Sequence, residues 1–195
     1  MKIALTGGIG SGKSAALKIL NELGEKTISF DDVYATLLKN DEFVFGVYKA
    51  VGLSPEYENE KLIFNKGAVS KKVFSDKNAL RKLNAYTHEK IFAAAFKDGE
   101  PFEKNGGRVF YEVPLLFEGG YQNRFDKVWV IVRDKTARVS SVAARDGLNE
   151  SEIKSRIKNQ FDYESCDLSI HTIILNDGDL SLLKQRVESA LNELK

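Results

Sequence analysis

Gly7-Gly8-Ile9-Gly10-Ser11-Gly12-Lys13-Ser14 fits G-x-x-x-x-G-K-[ST], with Gly7, Gly12, Lys13 and Ser14 at the fixed positions. Nothing else in the chain limits its fold as tightly, because the pattern works only where a buried strand hands over to a helix. The glycines let the backbone turn so that successive N–H groups face phosphate oxygens. The helix that follows aims the positive end of its dipole at the same point. The flanks meet both demands. Lys2 to Thr6 reads as a short buried strand, and Ala16, Leu17, Leu20 and Leu23 recur at helical spacing until Gly24 stops the helix. In such a loop Lys13 reaches the β- and γ-phosphates and the Ser14 hydroxyl ligates Mg²⁺. A chance match has odds well under about one in a hundred, so the stretch marks a nucleoside-triphosphate site.

The rest of the chain alternates strands with helices. Thr27 to Phe30, Val109 to Val113, Val128 to Val132 and Thr172 to Leu175 read as strands, and Val128 to Val132 is apolar on both faces, as a strand covered from both sides must be. Helices are expected over 33–51, 69–97, 135–146 and 150–160, with a last one carrying Leu180, Leu183, Val187, Leu191 and Leu194. Asp31-Asp32 is placed to cap the helix after the second strand. Residues 52–57 read as a loop and Pro101 to Gly107 as a polar turn. The pattern predicts an α/β, three-layer fold: a five-stranded parallel sheet with helices on both faces. The core is expected over about 1–33, 99–134 and 167–195. The helical excursion over 34–98 is too long for a crossover and reads as a subdomain, and 135–166 as a helical lid.

Composition excludes several classes. The chain has 195 residues, 43% of them apolar and 29% charged, which suits one domain with a real core. No run approaches the roughly 18 apolar residues of a membrane span, and the first residues reach glycines too soon for a signal peptide. Cys166 is the single cysteine, so neither an internal disulfide nor a cysteine zinc site is possible. A reduced, cytoplasmic protein is expected, as a monomer or weak homo-oligomer. The formal net charge of +1 argues against a nucleic-acid coat or a polybasic membrane binder.

A phosphate loop alone does not separate kinases from GTPases and motor ATPases. Asp31 ends the strand after the loop's helix, at the carboxyl edge where open α/β sheets bind ligands. A carboxylate there can take the proton of an attacking hydroxyl; helix capping is the alternative. N-K-x-D is absent, since Asn176-Asp177-Gly178 lacks the lysine. Arg138 and Arg145 lie seven apart on one expected helix face, as arginines of a lid closing over phosphates would. A solvated basic face is the alternative reading.

In order and spacing, Leu5-Thr6-Gly7-Gly8-Ile9-Gly10-Ser11-Gly12-Lys13-Ser14, Asp31, Val73-Phe74, Val113-Pro114-Leu115-Leu116-Phe117-Glu118 and Arg145-Asp146-Gly147-Leu148 resemble the dephospho-CoA kinase family over nearly the whole chain. The resemblance implies transfer of the ATP γ-phosphoryl group to the ribose 3′-hydroxyl of dephospho-CoA, with Mg²⁺, as the last step of coenzyme A synthesis. It implies Lys13, Asp31 and Arg145 as catalytic residues, Asp31 being the base. Thr6, Gly8, Ile9, Gly10, Ser11, Gly12, Lys13, Ser14 and Arg138 would hold ATP. Asp31, His88, Pro114, Leu115, Leu116 and Glu118 would face the acceptor, and Ser14 would ligate Mg²⁺ with Glu112 behind it. A buried ion pair or plain packing is the alternative for Glu112.

The chain departs from the family's pattern on the acceptor and lid side. Tyr34-Ala35 stands where the family has Ala-Arg, His88-Glu89 where it has His-Pro, Glu112 where it commonly has Asp, and Ser141 where it has a lid arginine. Phe161-Asp162-Tyr163-Glu164 replaces a proline and basic residues after Gln160. These leave open a kinase for another nucleoside or nucleotide, or a nucleotide-binding regulator without transfer. Residues 133–158 carry seven basic and four acidic side chains, whereas 98–126 carry three basic and six acidic. Near-neutrality therefore hides a positive field on the expected lid.

Overall fold

The computed structural model describes residues 1–163 and 167–194. The chain divides into two compact units, Met1–Ile28 with Gly99–Lys195, and Ser29–Asp98.

In the first unit, β1 (Lys2–Thr6), β2 (Lys26–Ser29), β5 (Val109–Glu112), β6 (Lys127–Val132) and β7 (Thr172–Leu175) form a sheet of order β2-β5-β1-β6-β7. Parallel pairing sets Ile3 opposite Phe110, Leu5 opposite Trp129, and Val130 opposite Ile173. Parallel strands need crossovers that bury both faces, and β1, β5 and β6 are accordingly almost wholly buried. Helices α1 (Lys13–Glu22) and α8 (Leu180–Asn192) lay Ala16, Ile19, Leu20, Leu183 and Val187 on the sheet against Ile3, Leu5, Phe110, Trp129 and Ile131. Phe110 and Trp129 meet edge to face at 4.9 Å. The order places β1 in the middle of the sheet, so the loop that follows it opens at the centre of the sheet's carboxyl edge. Helices α6 (Lys135–Asp146) and α7 (Glu150–Lys158) follow β6. The expected α/β sheet and its parallel order are therefore present.

The chain departs from the expected elements within and just after the second unit. The stretch expected as one helix over 33–51 is two, α2 (Phe30–Leu37) and α3 (Asp41–Val51), because the Asn40 side chain takes the Phe43 N–H and starts a new helix. Ser29, not Asp31 or Asp32, caps α2, its hydroxyl accepting from the Asp32 N–H, so Phe30 starts the helix and does not end the strand as expected. The expected loop at 52–57 runs into a hairpin, β3 (Glu56–Glu58) and β4 (Lys61–Ile63). Its two-residue turn, Asn59-Glu60, takes left-handed φ at both positions, as such turns require. The helix expected over 69–97 is also two, α4 (Lys66–Ser75) and α5 (Lys77–Lys104). Helix α5 runs through Pro101, so the turn expected at Pro101–Gly107 begins only after Lys104. A proline in the last turn removes a single ladder bond, a small loss there.

Asp76 makes the break between α4 and α5. Its backbone is extended, and its carboxylate accepts from the Asn78 and Ala79 N–H groups while Lys72 Nζ donates at 2.8 Å. These bonds, the one from Lys72 foremost, pull the Asp76 carboxyl down to about 2 from an ordinary 3.8. A depressed carboxylate contributes stability above its unfolded pKa and loses it as pH falls through the folded value. Asp76→Ala should therefore lower the melting temperature by about 2–4 °C at neutral pH. In calorimetric scans the gap from wild type should close between pH 4 and 2; a constant gap counts against the capping role. Around this turn Phe43, Val44, Val47, Tyr48, Val51, Val69 and Ala79 make the unit's own core.

Candidate active site

The loop after β1 turns through left-handed glycines at Gly10 (φ 74°) and Gly12 (φ 101°). A Cβ on Gly10 would fall 2.7 Å from the Arg138 carbonyl oxygen, and one on Gly12 would fall 2.2 Å from Asn176 Nδ2. No side chain fits at either position, which leaves a cradle of bare backbone. Lys13 Nζ donates to the Gly7 carbonyl at 2.9 Å and the Gly8 carbonyl at 3.3 Å, holding its ammonium over the loop's mouth. Ser14 Oγ donates to Glu112 Oε1 at 3.2 Å, and Glu112 is buried at the end of β5. This cradle fits a polyphosphate. A hydroxyl and a carboxylate, both hard oxygen donors, fit Mg²⁺, which is held through one or two protein oxygens plus phosphates.

The expected ATP ligand Thr6 is fully buried, and its hydroxyl donates to the Val113 carbonyl at 2.8 Å. It thus ties β1 to the segment after β5. Val113-Pro114-Leu115-Leu116-Phe117-Glu118 leads into a run of turns over 114–120. Leu116 is fully buried, Pro114 half-buried, and Leu115 and Glu118 exposed. Leu116 anchors the segment; Leu115 and Glu118 are the side chains it presents outward.

The two lid arginines differ despite their seven-residue spacing. Arg138 is 5% exposed, with Nε donating to the Ile9 carbonyl at 3.0 Å and its guanidinium lying against Gly8. The solvated-face reading therefore fails for Arg138. Arg145 stands in the last turn of α6, its side chain 63% exposed and paired bidentately with Asp146 at 2.7 and 2.9 Å. Behind Arg138 lies a cavity of about 580 Å³ lined by Lys135, Arg138, Lys154, Lys158, Gln160 and Tyr163 among others. The positive balance of this region thus has a physical location beside the phosphate loop.

Sequence reasoning missed three residues at the loop. Gln160 Oε1 accepts the Ile9 N–H at 2.8 Å. Asn176 Nδ2 donates to the Ser11 carbonyl at 2.8 Å. The Tyr163 hydroxyl lies 3.5 Å from Thr6 Oγ1, and burial pushes it up to about 12, so it stays protonated at neutral pH. Phe161, where the family has proline, stacks on Phe117 at 4.6 Å, while its N–H donates to Glu118. Phe117 also meets Tyr163 and His171, so His171 belongs to an aromatic cluster. Cys166 and Glu164 lie outside the described residues.

Two expected site residues belong to the Ser29–Asp98 unit. Asp31 is exposed in the first turn of α2, two residues after β2 ends. Since Ser29 does the capping, that alternative for the Asp31 carboxylate falls. His88 is half-buried on α5, and burial pushes its imidazole below the usual range, with Glu89 opposing.

A parallel sheet of this order, a glycine cradle and a Ser14–Glu112 pair at its foot define a P-loop nucleotide-binding protein of the kinase-like class. The sequence profile of the dephospho-CoA kinase family matches residues 1–181, and the chain belongs to that family. A dephospho-CoA kinase of Helicobacter pylori is 32% identical over 194 residues, covering 98% of this chain and 96% of its own. The crystal structure of a Thermus thermophilus protein superposes with a TM-score of 0.82 at 28% identity, covering 100% of this chain and 98% of that one. A dephospho-CoA kinase of Campylobacter jejuni gives 0.71 at 29% identity, with the same coverage.

Proposed function

We propose that this chain transfers the γ-phosphoryl group of ATP to the ribose 3′-hydroxyl of dephospho-CoA, giving ADP and coenzyme A, in the cytoplasm. Family membership over residues 1–181 supports the acceptor. The observation that carries the reaction class is the cradle itself, with Lys13 over its mouth and Ser14 paired to Glu112 below. The loop amides and Lys13 bind the polyphosphate. Ser14, backed by Glu112, would hold Mg²⁺, which when bound neutralises charge on the β- and γ-phosphate oxygens. Asp31 takes the proton from the 3′-hydroxyl as its oxygen bonds to the γ-phosphorus and the bond to the β,γ-bridging oxygen breaks. Lys13 and Arg145 stabilise the charge that gathers on the transferring group and the leaving oxygen. For Arg145 this means exchanging Asp146 for phosphate. Arg138 shapes the loop on which the phosphates rest. Pro114, Leu115 and Glu118 would face the acceptor, Leu116 fixing their segment from the core, and the family resemblance gives His88 an acceptor contact as well.

The departures at Ala35, Glu89, Ser141 and Phe161 fall on the acceptor and lid side and leave the phosphate loop intact, so the acceptor is what must be tested. The protein is incubated with Mg²⁺, ATP and, separately, dephospho-CoA, adenosine and common nucleosides, and ADP release is followed. Dephospho-CoA should be phosphorylated with kcat/KM at least about 100-fold above any other acceptor, as expected when a site built for an acceptor's polar groups meets one lacking them. Preference for a nucleoside overturns the assignment while keeping the reaction class. ATP binding with no transfer to any acceptor points instead to a nucleotide-dependent regulator.

A further inference from the structure

Asn176-Asp177-Gly178 has no part in the reaction as described, and without a lysine it cannot serve as a guanine-reading motif. The structure assigns Asn176 a different role, that of a positioning residue that sets the aim of the phosphate loop's backbone. Its own N–H donates to the Val132 carbonyl at 2.7 Å, extending the β6–β7 ladder by one residue. That bond fixes the side chain beside the loop, where it is 9% exposed and Nδ2 donates to the Ser11 carbonyl at 2.8 Å across 165 residues of sequence. The same nitrogen lies 2.2 Å from where a Gly12 Cβ would be, so the amide nitrogen occupies the space that glycine leaves open at this position.

The consequence follows from peptide geometry. In a trans peptide the C=O and the next N–H point in opposite directions. Holding the Ser11 carbonyl outward on Asn176 therefore turns the Gly12 N–H to the loop's other side, into the cradle. Gly12 is the residue before α1 and has a left-handed φ of 101°, a conformation open to glycine, and its carbonyl accepts the Ala16 N–H at 3.0 Å. Donation to the carbonyl also polarises the peptide and strengthens its N–H as a donor. Arg138 does the same nearby: its bond to the Ile9 carbonyl turns the Gly10 N–H inward. The intervening Ser11 N–H is tied to the Gly8 carbonyl at 3.1 Å. Asn176 touches no reacting atom; it acts through Gly12.

The test measures nucleotide binding without an acceptor, so it stands or falls separately from the proposed reaction. Mg²⁺ with a non-hydrolysable ATP analogue is titrated calorimetrically into wild type, Asn176→Ala, Asn176→Asp and Asp177→Ala. Asn176→Ala, which leaves the Ser11 carbonyl without this donor, should weaken binding about tenfold. Asn176→Asp keeps the shape but sets a carboxylate against a carbonyl, and should weaken it about 100-fold. Asp177→Ala removes only an exposed pair with Arg186 and should stay within about twofold. In steady-state assays of Asn176→Ala, KM for ATP should rise while KM for dephospho-CoA holds. Should the Asn176 variants fold poorly, the wild-type protein still decides. Nuclear magnetic resonance should show slowly exchanging Asn176 side-chain amide protons and a Gly12 amide proton that moves downfield on nucleotide binding. Affinities of both Asn176 variants within about twofold of wild type, or a freely exchanging Asn176 amide and an unmoved Gly12 resonance, would overturn the assignment.

Discussion

Asp31→Asn is expected to lower kcat by about 10²–10⁴-fold, the usual range for loss of a positioned proton acceptor. Affinity for the ATP analogue should change by no more than about twofold, because Asp31 lies outside the 7–14 loop proposed to hold the phosphates. The substitution is close to isosteric and does not touch the helix cap, which belongs to Ser29. Asp31 does contribute negative charge to the first turn of α2, a favourable place for it. Its replacement by asparagine therefore costs a little helix stability, and Asp32 retains one charge in the same turn. The split between kcat and binding is what makes the test sharp. A capping or folding role would lower the melting temperature and the active fraction together, leaving kcat per folded molecule intact. Turnover equal to wild type in the folded variant removes Asp31 as the base.

The parts of this molecule that could be read from sequence are those whose physics is local. The strand at 172–175 and the helix at 135–146 appear at their expected bounds, because an apolar run or an amphipathic period with a capping Asp134 states them in a dozen residues. The phosphate loop was legible because four fixed residue types are needed at fixed spacing. The breaks at Leu38–Asn40 and Asp76 were not, since apolar residues keep helical spacing across both. What interrupts them is an Asn40 or Asp76 side chain that outcompetes the helix for backbone N–H groups. The Asn59-Glu60 hairpin lacks the glycine that usually announces such a turn. At the site, Gln160 and Asn176 join the loop from 151 and 165 residues away. Their role depends on tertiary placement that no spacing rule encodes. The seven-residue spacing of Arg138 and Arg145 likewise says nothing of their burial: α6 packs one against Gly8 and leaves the other exposed in its last turn.

Lys13→Met should lower kcat by about 10²–10³-fold, the scale of losing one charged donor aimed at developing charge. It should also weaken binding of the ATP analogue roughly tenfold. Methionine keeps the length and apolar stem of lysine, so α1, whose first residue this is, keeps its packing. What disappears is the ammonium that bonds the Gly7 and Gly8 carbonyls at 2.9 and 3.3 Å. In the free protein those bonds hold the charge over the cradle, pre-placed for an incoming phosphate, and transfer of phosphoryl charge toward the β,γ-bridging oxygen strengthens the interaction further. The loss should therefore fall more heavily on kcat than on binding. Lys13→Arg retains the charge but offers a planar fork where a compact donor fits between two carbonyls. It should recover the binding loss in part and kcat hardly at all. A Lys13→Met variant that keeps more than about a tenth of wild-type kcat would show that the charge is supplied from elsewhere. The residue to examine then is Arg138, whose guanidinium lies against Gly8.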